Sequence, residues 1–148
     1  MKKVLTIILI AVIAVSFAFS ETTVGLRGGF GYSASLRVPA GESKAIEGIF
    51  SLYNSGLMVT GMYQWHNPIG DVENLSWYYG GGIHAGFSWF WTNSFSLGID
   101  GIVGIEYDFE SLIDLPLKLS IDYKPAYSFI GSWGDNWYGF AGTIRYTF

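Results

Sequence analysis

The chain has 148 residues, half of them hydrophobic and 18% aromatic, with a formal net charge of −4 and no cysteine. The lack of cysteine excludes disulfide bonds, thiol catalysis and thiolate metal sites. The acidic balance argues against a nucleic-acid-binding protein, because no basic surface is available to neutralise phosphates.

Residues 1–20 are typical of a secretory signal peptide. Lys2 and Lys3 form the charged start, and an apolar run over 4–15 follows. This run is shorter than the roughly 20 residues of a spanning helix, which is the alternative interpretation. A small-x-small cleavage site ends at Ser20. We therefore expect cleavage before Glu21, export from the cytoplasm, and a single domain over residues 21–148.

From residue 23 onward, apolar and polar side chains alternate with a period of two, which predicts β-strands. No helical periodicity of useful length follows residue 20. The predicted strands, in chain order, cover residues 23–38, 44–53, 57–66, 75–91, 95–110, 115–124, 126–133 and 136–148.

Charged residues are confined to one face of these predicted strands. Every Asp, Glu, Lys and Arg within a strand, except Lys44 at a strand start, lies opposite the large apolar side chains. A soluble β-sandwich, the alternative, would turn its charges to water, whereas a transmembrane barrel turns its apolar face to lipid. Aromatic residues near the strand ends would form interfacial girdles: Tyr63, Trp65, Trp77, Trp89, Trp91, Tyr123, Trp133 and Trp137.

The final strand carries Phe140, Ile144, Tyr146 and Phe148 on one face, with Gly142 leaving a gap in the row. This pattern resembles the C-terminal insertion signal of small Gram-negative outer-membrane β-barrels of the OmpA/OmpX-like type. The resemblance implies an all-β, antiparallel up-and-down transmembrane barrel in the cell outer membrane. It also implies contact with outer-membrane lipid, recognition of the C-terminal strand by the barrel-assembly machinery, and a monomer.

Single-chain bacterial barrels have an even number of strands, and a turn at 124–126 brings the count to eight. Proline is rare inside a central strand, so Pro125 favours this turn, which would place Tyr123 opposite Tyr127. Both ends of the mature chain should then be periplasmic. The short turns 54–56, 92–94 and 124–126 would be periplasmic. The connections 39–43, 67–74 and 111–114 would be extracellular, with a short turn at 134–135 as the exception among the extracellular ones.

An eight-stranded barrel has room inside only for its own side chains. The inward face is predicted to carry Arg27, Arg37, Glu47, Tyr78, His84, Asp100, Glu106, Asp108, Lys118, Asp122, Lys124 and Arg145. Buried charges of mixed sign should pair, because an unpaired one is costly. If Glu110 faces Asp114 across a turn, Glu106 faces Lys118. We expect an ion-pair network that plugs the lumen.

The expected function is therefore a structural or surface-interaction role for a membrane barrel with a filled lumen. Enzymatic activity, cofactors and metals are not expected. Catalysis would need a histidine with a hydroxyl and an orienting acid. Tyr78 and Ser88 share the strand face of His84, but neither histidine lies in a short motif that resembles the lipid A deacylase or palmitoyltransferase families. A lipid-modifying outer-membrane enzyme is one alternative function.

The other alternative is a narrow channel for small hydrophobic solutes. The residues that suggest such a channel are apolar and are predicted to face inward: Ile49, Met58, Met62 and Ile102. Water-filled porins need more strands than residues 21–148 supply.

Overall fold

The computed structural model describes residues 21–29, 31–53, 56–88, 94–131 and 139–148, with isolated positions 3, 6, 7, 10 and 14. Most of the predicted signal peptide lies outside the described residues, as do four of the predicted girdle tryptophans: Trp89, Trp91, Trp133 and Trp137. Within the described part of the chain, no helix is long and apolar enough to cross a membrane.

The described residues form a closed antiparallel barrel of eight strands, with one further strand outside the ring. The elements are β1 Thr23–Gly29, β2 Gly31–Pro39, β3 Lys44–Tyr53, β4 Gly56–Pro68, β5 Leu75–Ser88, β6 Ser94–Asp108, α1 Glu110–Ile113, β7 Leu117–Tyr123, β8 Ala126–Ile130 and β9 Phe140–Thr147. Neighbours in sequence pair from β1 to β7, β9 pairs with β7, and β9 closes the ring against β1. The predicted all-β, antiparallel barrel of eight strands is confirmed.

The strand outside the ring is β8, which continues the line of β7. Both strands pair with β6 in one register, with Tyr123 opposite Val103 and Tyr127 opposite Ile99. The chain therefore passes Pro125 without reversing, and the predicted turn at 124–126 is wrong.

Pro125 interrupts the ladder without breaking the register. The Gly101 N–H donates to the Pro125 carbonyl at 3.0 Å, and proline has no N–H with which to return the bond. Pro125 therefore costs the pairing with β6 one hydrogen bond, and it does not reverse the chain.

The reversal that the sequence did not reveal lies between Gly29 and Gly31. The predicted single strand 23–38 is two strands, β1 and β2, with Gly29 directly opposite Gly31. Gly31 has a φ of +130°, which L side chains rarely adopt. In this register even-numbered residues face the same side in both strands, so the alternation runs through the hairpin unchanged.

The hairpin at residue 30 also reverses the predicted sidedness. We call the end of the barrel with Thr23 and Thr147 the proximal end and the other the distal end. The connections 40–43, 69–74 and 109–116 are all proximal. The three predicted extracellular connections therefore share the end at which β1 begins and β9 finishes. The prediction that these connections lie at the end opposite to both ends of the mature chain is wrong.

The barrel is inverted in polarity relative to a water-soluble domain. Large apolar side chains cover its outer surface, with Leu26 73% exposed, Tyr32 84% and Ile83 63%, whereas Glu47 and Arg145 are completely buried inside. The predicted inward and outward faces agree with this burial throughout the described strands.

The hairpin at residue 30 can be tested with two glycine substitutions. Gly31→Ala should destabilise the refolded barrel by about 1–3 kcal/mol, because alanine would be forced to a positive φ. Its Cβ would also lie 3.3 Å from the Tyr53 ring. Gly28→Ala is the control, since a Cβ there meets nothing within 4 Å. Urea unfolding measures both, and equal midpoints would favour the single strand 23–38.

Candidate functional site: the polar lumen

A closed ring of ion pairs crosses the proximal half of the lumen. Arg37 on β2 lies 3.2 Å from Glu47 on β3 and 2.8 Å from Glu106 on β6. Arg145 on β9 lies 2.9 Å from the same Glu47 and 3.1 Å from the same Glu106. Each arginine thus bridges both carboxylates. We call these four residues the Arg/Glu ring; none is more than 6% exposed.

Neutral polar groups complete the surroundings of the ring. Gln64 donates to Glu47 at 2.6 Å, and His66 lies within hydrogen-bond distance of the Gln64 amide oxygen. Arg145 also donates to the Ser120 hydroxyl. The ring contains two positive and two negative groups, so its net charge is zero. That balance and these added hydrogen bonds offset the large cost of removing four charges from water.

A second group fills the middle of the lumen. The Arg27 guanidinium makes a two-pronged pair with Asp122, at 2.6 and 2.7 Å. The Tyr78 hydroxyl donates to the same carboxylate at 2.8 Å, and Thr143 accepts a longer bond from Arg27. The Tyr78 ring belongs to a small buried apolar cluster with Ile49, Met62 and Ile102. Tyr78 therefore links the ion pair to this apolar cluster.

A third group lies toward the distal end. The Asp100 carboxylate contacts His84 Nδ1 with one oxygen and lies 2.6 Å from Lys124 Nζ with the other. His84 Nε2 lies 3.0 Å from the Ser128 hydroxyl, to which Ser96 donates at 3.0 Å. We call these five residues the distal relay. They come from β5, β6, β8 and the Lys124–Pro125 interruption.

Inward-facing glycines make room for the large polar side chains. A Cβ on Gly104 would lie 2.6 Å from the Asp122 Cβ and 2.7 Å from the Tyr78 ring. A Cβ on Gly98 would lie 2.7 Å from His84 Nε2. Real Cβ atoms do not approach so closely, so the middle group and the distal relay both depend on glycine at these places.

Eight of the nine residues predicted as the lumenal charge network lie in these three groups: Arg27, Arg37, Glu47, His84, Asp100, Glu106, Asp122 and Arg145. The ninth, Lys118, lies at the proximal rim, with its side chain 30% exposed and 4.0 Å from Asp108. The register places Glu106 opposite Ser120. The predicted Glu106–Lys118 pair is wrong, because the connection with α1 shifts the register by two residues.

Sequence reasoning missed the neutral members of the three groups. These are Gln64, Ser96, Ser120, Ser128 and Thr143. An uncharged inward residue carries no signal of its own in a strand pattern. Only the register between strands identifies its partner, and the false turn at 124–126 displaced Ser128 from the neighbourhood of His84.

The lumen is blocked between its two mouths. A proximal cavity of about 710 Å³ ends on Arg37 and Glu106 of the Arg/Glu ring. A distal cavity of about 40 Å³ is lined by Arg27, Ser51 and Lys124, among others. The Arg/Glu ring and the middle group, with Tyr78 completely buried, fill the space between the two cavities.

The residues of the predicted insertion signal all face outward on or beside β9. Phe140 is 59% exposed, Ile144 60%, Tyr146 44% and Phe148 64%. Their strand is also the one that closes the ring against β1.

No group of three His, Asp or Glu side chains suited to a metal ion occurs in the described part of the chain. Comparisons of the chain with protein-family models, with curated proteins and with solved structures find no match. The function is therefore argued from the barrel and its lumen.

The Arg/Glu ring should dominate the stability of the barrel. Arg145→Ala leaves two buried carboxylates sharing one arginine, and breaking a buried pair in this way costs about 3–5 kcal/mol. Lys118→Ala, the matched control, removes only a partly exposed contact worth about 0–1 kcal/mol. Denaturant unfolding of both variants measures the difference. A loss for Lys118→Ala equal to that for Arg145→Ala would contradict the pairing described above.

The space beside Gly104 gives a second prediction. Gly104→Ala should destabilise the barrel by about 1–3 kcal/mol, because the added methyl group overpacks Asp122 and Tyr78. Gly61→Ala is the control, since a Cβ there meets nothing within 4 Å. It should be neutral or stabilise by up to about 1 kcal/mol. Unfolding midpoints in one detergent measure both; a tolerated Gly104→Ala would show that the middle group is loosely packed.

Proposed function

We propose that this chain is an integral outer-membrane β-barrel with a closed lumen and a structural role. The observation that carries the proposal is the inverted polarity of the barrel. Completely buried Arg145 and Glu47 lie inside, and apolar side chains such as Leu26, Tyr32 and Ile83 lie outside with most of their surface exposed.

In water this outer surface would be unfavourable. Soluble monomers rarely expose contiguous apolar patches larger than a few hundred Å², yet outward apolar residues occur on every strand of the ring. In a bilayer the same surface contacts hydrocarbon. A closed barrel also satisfies its backbone hydrogen bonds internally, which a spanning structure requires.

Aromatic side chains on the outer surface near the proximal end support the same proposal. Trp65 stacks on Tyr79 with ring centres 5.6 Å apart, and Trp77 stacks on Tyr79 at 5.2 Å. Tyr63 meets Trp65 edge-on. Tryptophan and tyrosine concentrate where a bilayer meets water. This cluster therefore favours a membrane interface at the proximal end, where Lys44 lies directly opposite Trp65.

In this proposal the proximal end faces the periplasm, because β1 begins and β9 finishes there. The distal connections, over residues 30, 54–55, 89–93 and 131–139, are then external. The filled lumen argues against a route for solutes, since Met58 and Met62 are only 2% exposed. A structural role is the function that this geometry favours.

Several partners follow from the same proposal. Outer-membrane lipid would surround the barrel, and residues 1–20 would direct export. The outward row Phe140, Ile144, Tyr146 and Phe148 on the closing strand would be read by the barrel-assembly machinery. The barrel would be a monomer, because every strand of the closed ring already pairs with a strand on each side. The ring therefore leaves no strand edge with which a second chain could pair.

Membrane location is tested by fractionation and by gel mobility with and without boiling. We expect the protein in the outer-membrane fraction and a faster-moving folded form before boiling. In planar bilayers the wild-type barrel should show no steady conductance, because the Arg/Glu ring and the middle group block the lumen. A natively folded monomer that stays dissolved without detergent would overturn the proposal.

A charge placed on the outer surface gives a quantitative test. Ile83→Arg puts an arginine near the middle of β5 on the outward face, where insertion into lipid costs about 2–4 kcal/mol at the midplane. Leu115→Arg is the control, because this 49% exposed residue lies in a proximal connection and the cost near the interface is about 0–1 kcal/mol. Urea unfolding in phospholipid vesicles measures both. Equal costs would show that the face around Ile83 does not contact lipid.

A further inference from the structure

The distal relay has the connectivity of a nucleophilic serine site, which the structural role does not use. Asp100 contacts His84 Nδ1, and His84 Nε2 lies 3.0 Å from the Ser128 hydroxyl. A base bonded to the nucleophile and oriented by an acid is the arrangement that activates serine. We propose that Ser128, His84 and Asp100 form a reactive serine site that accepts the acyl group of a small carboxylic ester.

The contacts of the relay fit one tautomer of His84. With its proton on Nδ1, His84 donates to Asp100, and Nε2 can accept from the Ser128 hydroxyl. The Ser128 oxygen in turn accepts from Ser96. In this tautomer Ser128 can pass its proton to the base, as a nucleophile must when it attacks.

Lys124 contacts the acid of the relay. Its ammonium lies 2.6 Å from the second Asp100 oxygen, so the carboxylate charge is already balanced by a cation. Lys124 and Asp100 are positioning residues here, because they act through His84.

Of the two hydroxyl groups in the relay, that of Ser128 belongs to the more exposed residue. Ser128 is 7% exposed, against 0% for Ser96, and His84 is 1% exposed. The Lys124 side chain is 14% exposed. It points inward from β8 just before that strand ends at Ile130, at the distal end. The access is narrow, so the acyl group must be short. In the proposed membrane orientation this mouth faces the outside of the cell.

The reaction balances without any further reactant except water. The Ser128 oxygen bonds to the ester carbonyl carbon while its proton moves to His84 Nε2. Collapse of the tetrahedral species breaks the bond between acyl carbon and alkoxide oxygen, and His84 returns the proton to the leaving alcohol. Water, deprotonated by His84, then releases the carboxylic acid and restores Ser128.

The first test treats the refolded full chain in detergent with methanesulfonyl fluoride, which is small enough for a narrow access. The Ser128 oxygen forms a bond to sulfur, the sulfur–fluorine bond breaks and releases fluoride, and the serine proton passes through His84 to solvent. Peptide mass spectrometry should find one methanesulfonyl group, on Ser128. His84→Gln should slow labelling about 10²- to 10⁴-fold, the usual contribution of a general base.

Thr60→Val is the matched control for labelling. Thr60 lies directly opposite His84, is 1% exposed, and its hydroxyl has no hydrogen-bond partner in the described part of the chain. This variant should label at the wild-type rate. A natively folded wild type that is not labelled at Ser128, or a labelling rate unchanged in His84→Gln, overturns the proposal.

A second test holds even if His84→Gln does not fold. The chain has no cysteine, so Ser128→Cys creates a single thiol beside His84. Ser51→Cys is the matched control, because Ser51 is 5% exposed, lines the distal cavity and bonds Ser33 rather than an imidazole. An adjacent histidine raises the thiolate fraction. Ser128→Cys should react with methyl methanethiosulfonate at least about tenfold faster than Ser51→Cys. Equal rates in the two folded variants overturn the proposal.

Discussion

The pairing of charges across the lumen is the interaction on which the rest of this barrel depends. Arg37, Glu47, Glu106 and Arg145 come from four different strands and meet inside the proximal half. Each arginine holds both carboxylates, so strands far apart along the ring are tied together through its centre. A charge in such a place is tolerated only while its partner is present, which makes correct closure of the ring a condition for burying any of the four.

The same constraint explains the outer surface. Once the polar side chains occupy the interior, alternation along each strand turns the apolar ones outward, and the outer surface then matches a lipid environment better than water. Inward glycines such as Gly98 and Gly104 belong to this arrangement as well, because the large polar groups need the volume that a side chain would take. The three lumenal groups therefore act together to close the barrel, in agreement with a structural function. Within that closed interior the distal relay retains a hydroxyl, an imidazole and a carboxylate in a reactive order.

Sequence reasoning and tertiary structure agree on the faces and differ on the turns. The inward position of Arg27, Asp122 and their companions followed from alternation alone. The hairpin at residue 30 and the passage through Pro125 did not, because a reversal that pairs residues of equal parity leaves the alternation unchanged. The strand count of eight came out correct because one missed reversal and one false reversal cancelled. The connections between residue 30 and Pro125 were nevertheless assigned to the wrong end of the barrel, because the missed reversal precedes all of them and the false reversal follows them.

The sequence by itself determined that this chain forms β-strands with a charged face and an apolar face, since a period of two is a local property that each strand carries alone. It also determined which charges share the interior. Only the tertiary structure decided which charges meet, because contact across a barrel depends on the register of every strand between the partners. The connection after β6 shifts the register by two residues relative to the prediction. Glu106 therefore contacts Arg37 and Arg145 and does not face Lys118. Ser128 contacts His84 for the same reason. The register between β6 and β8 brings the two residues together, and a local sequence pattern does not reveal that register.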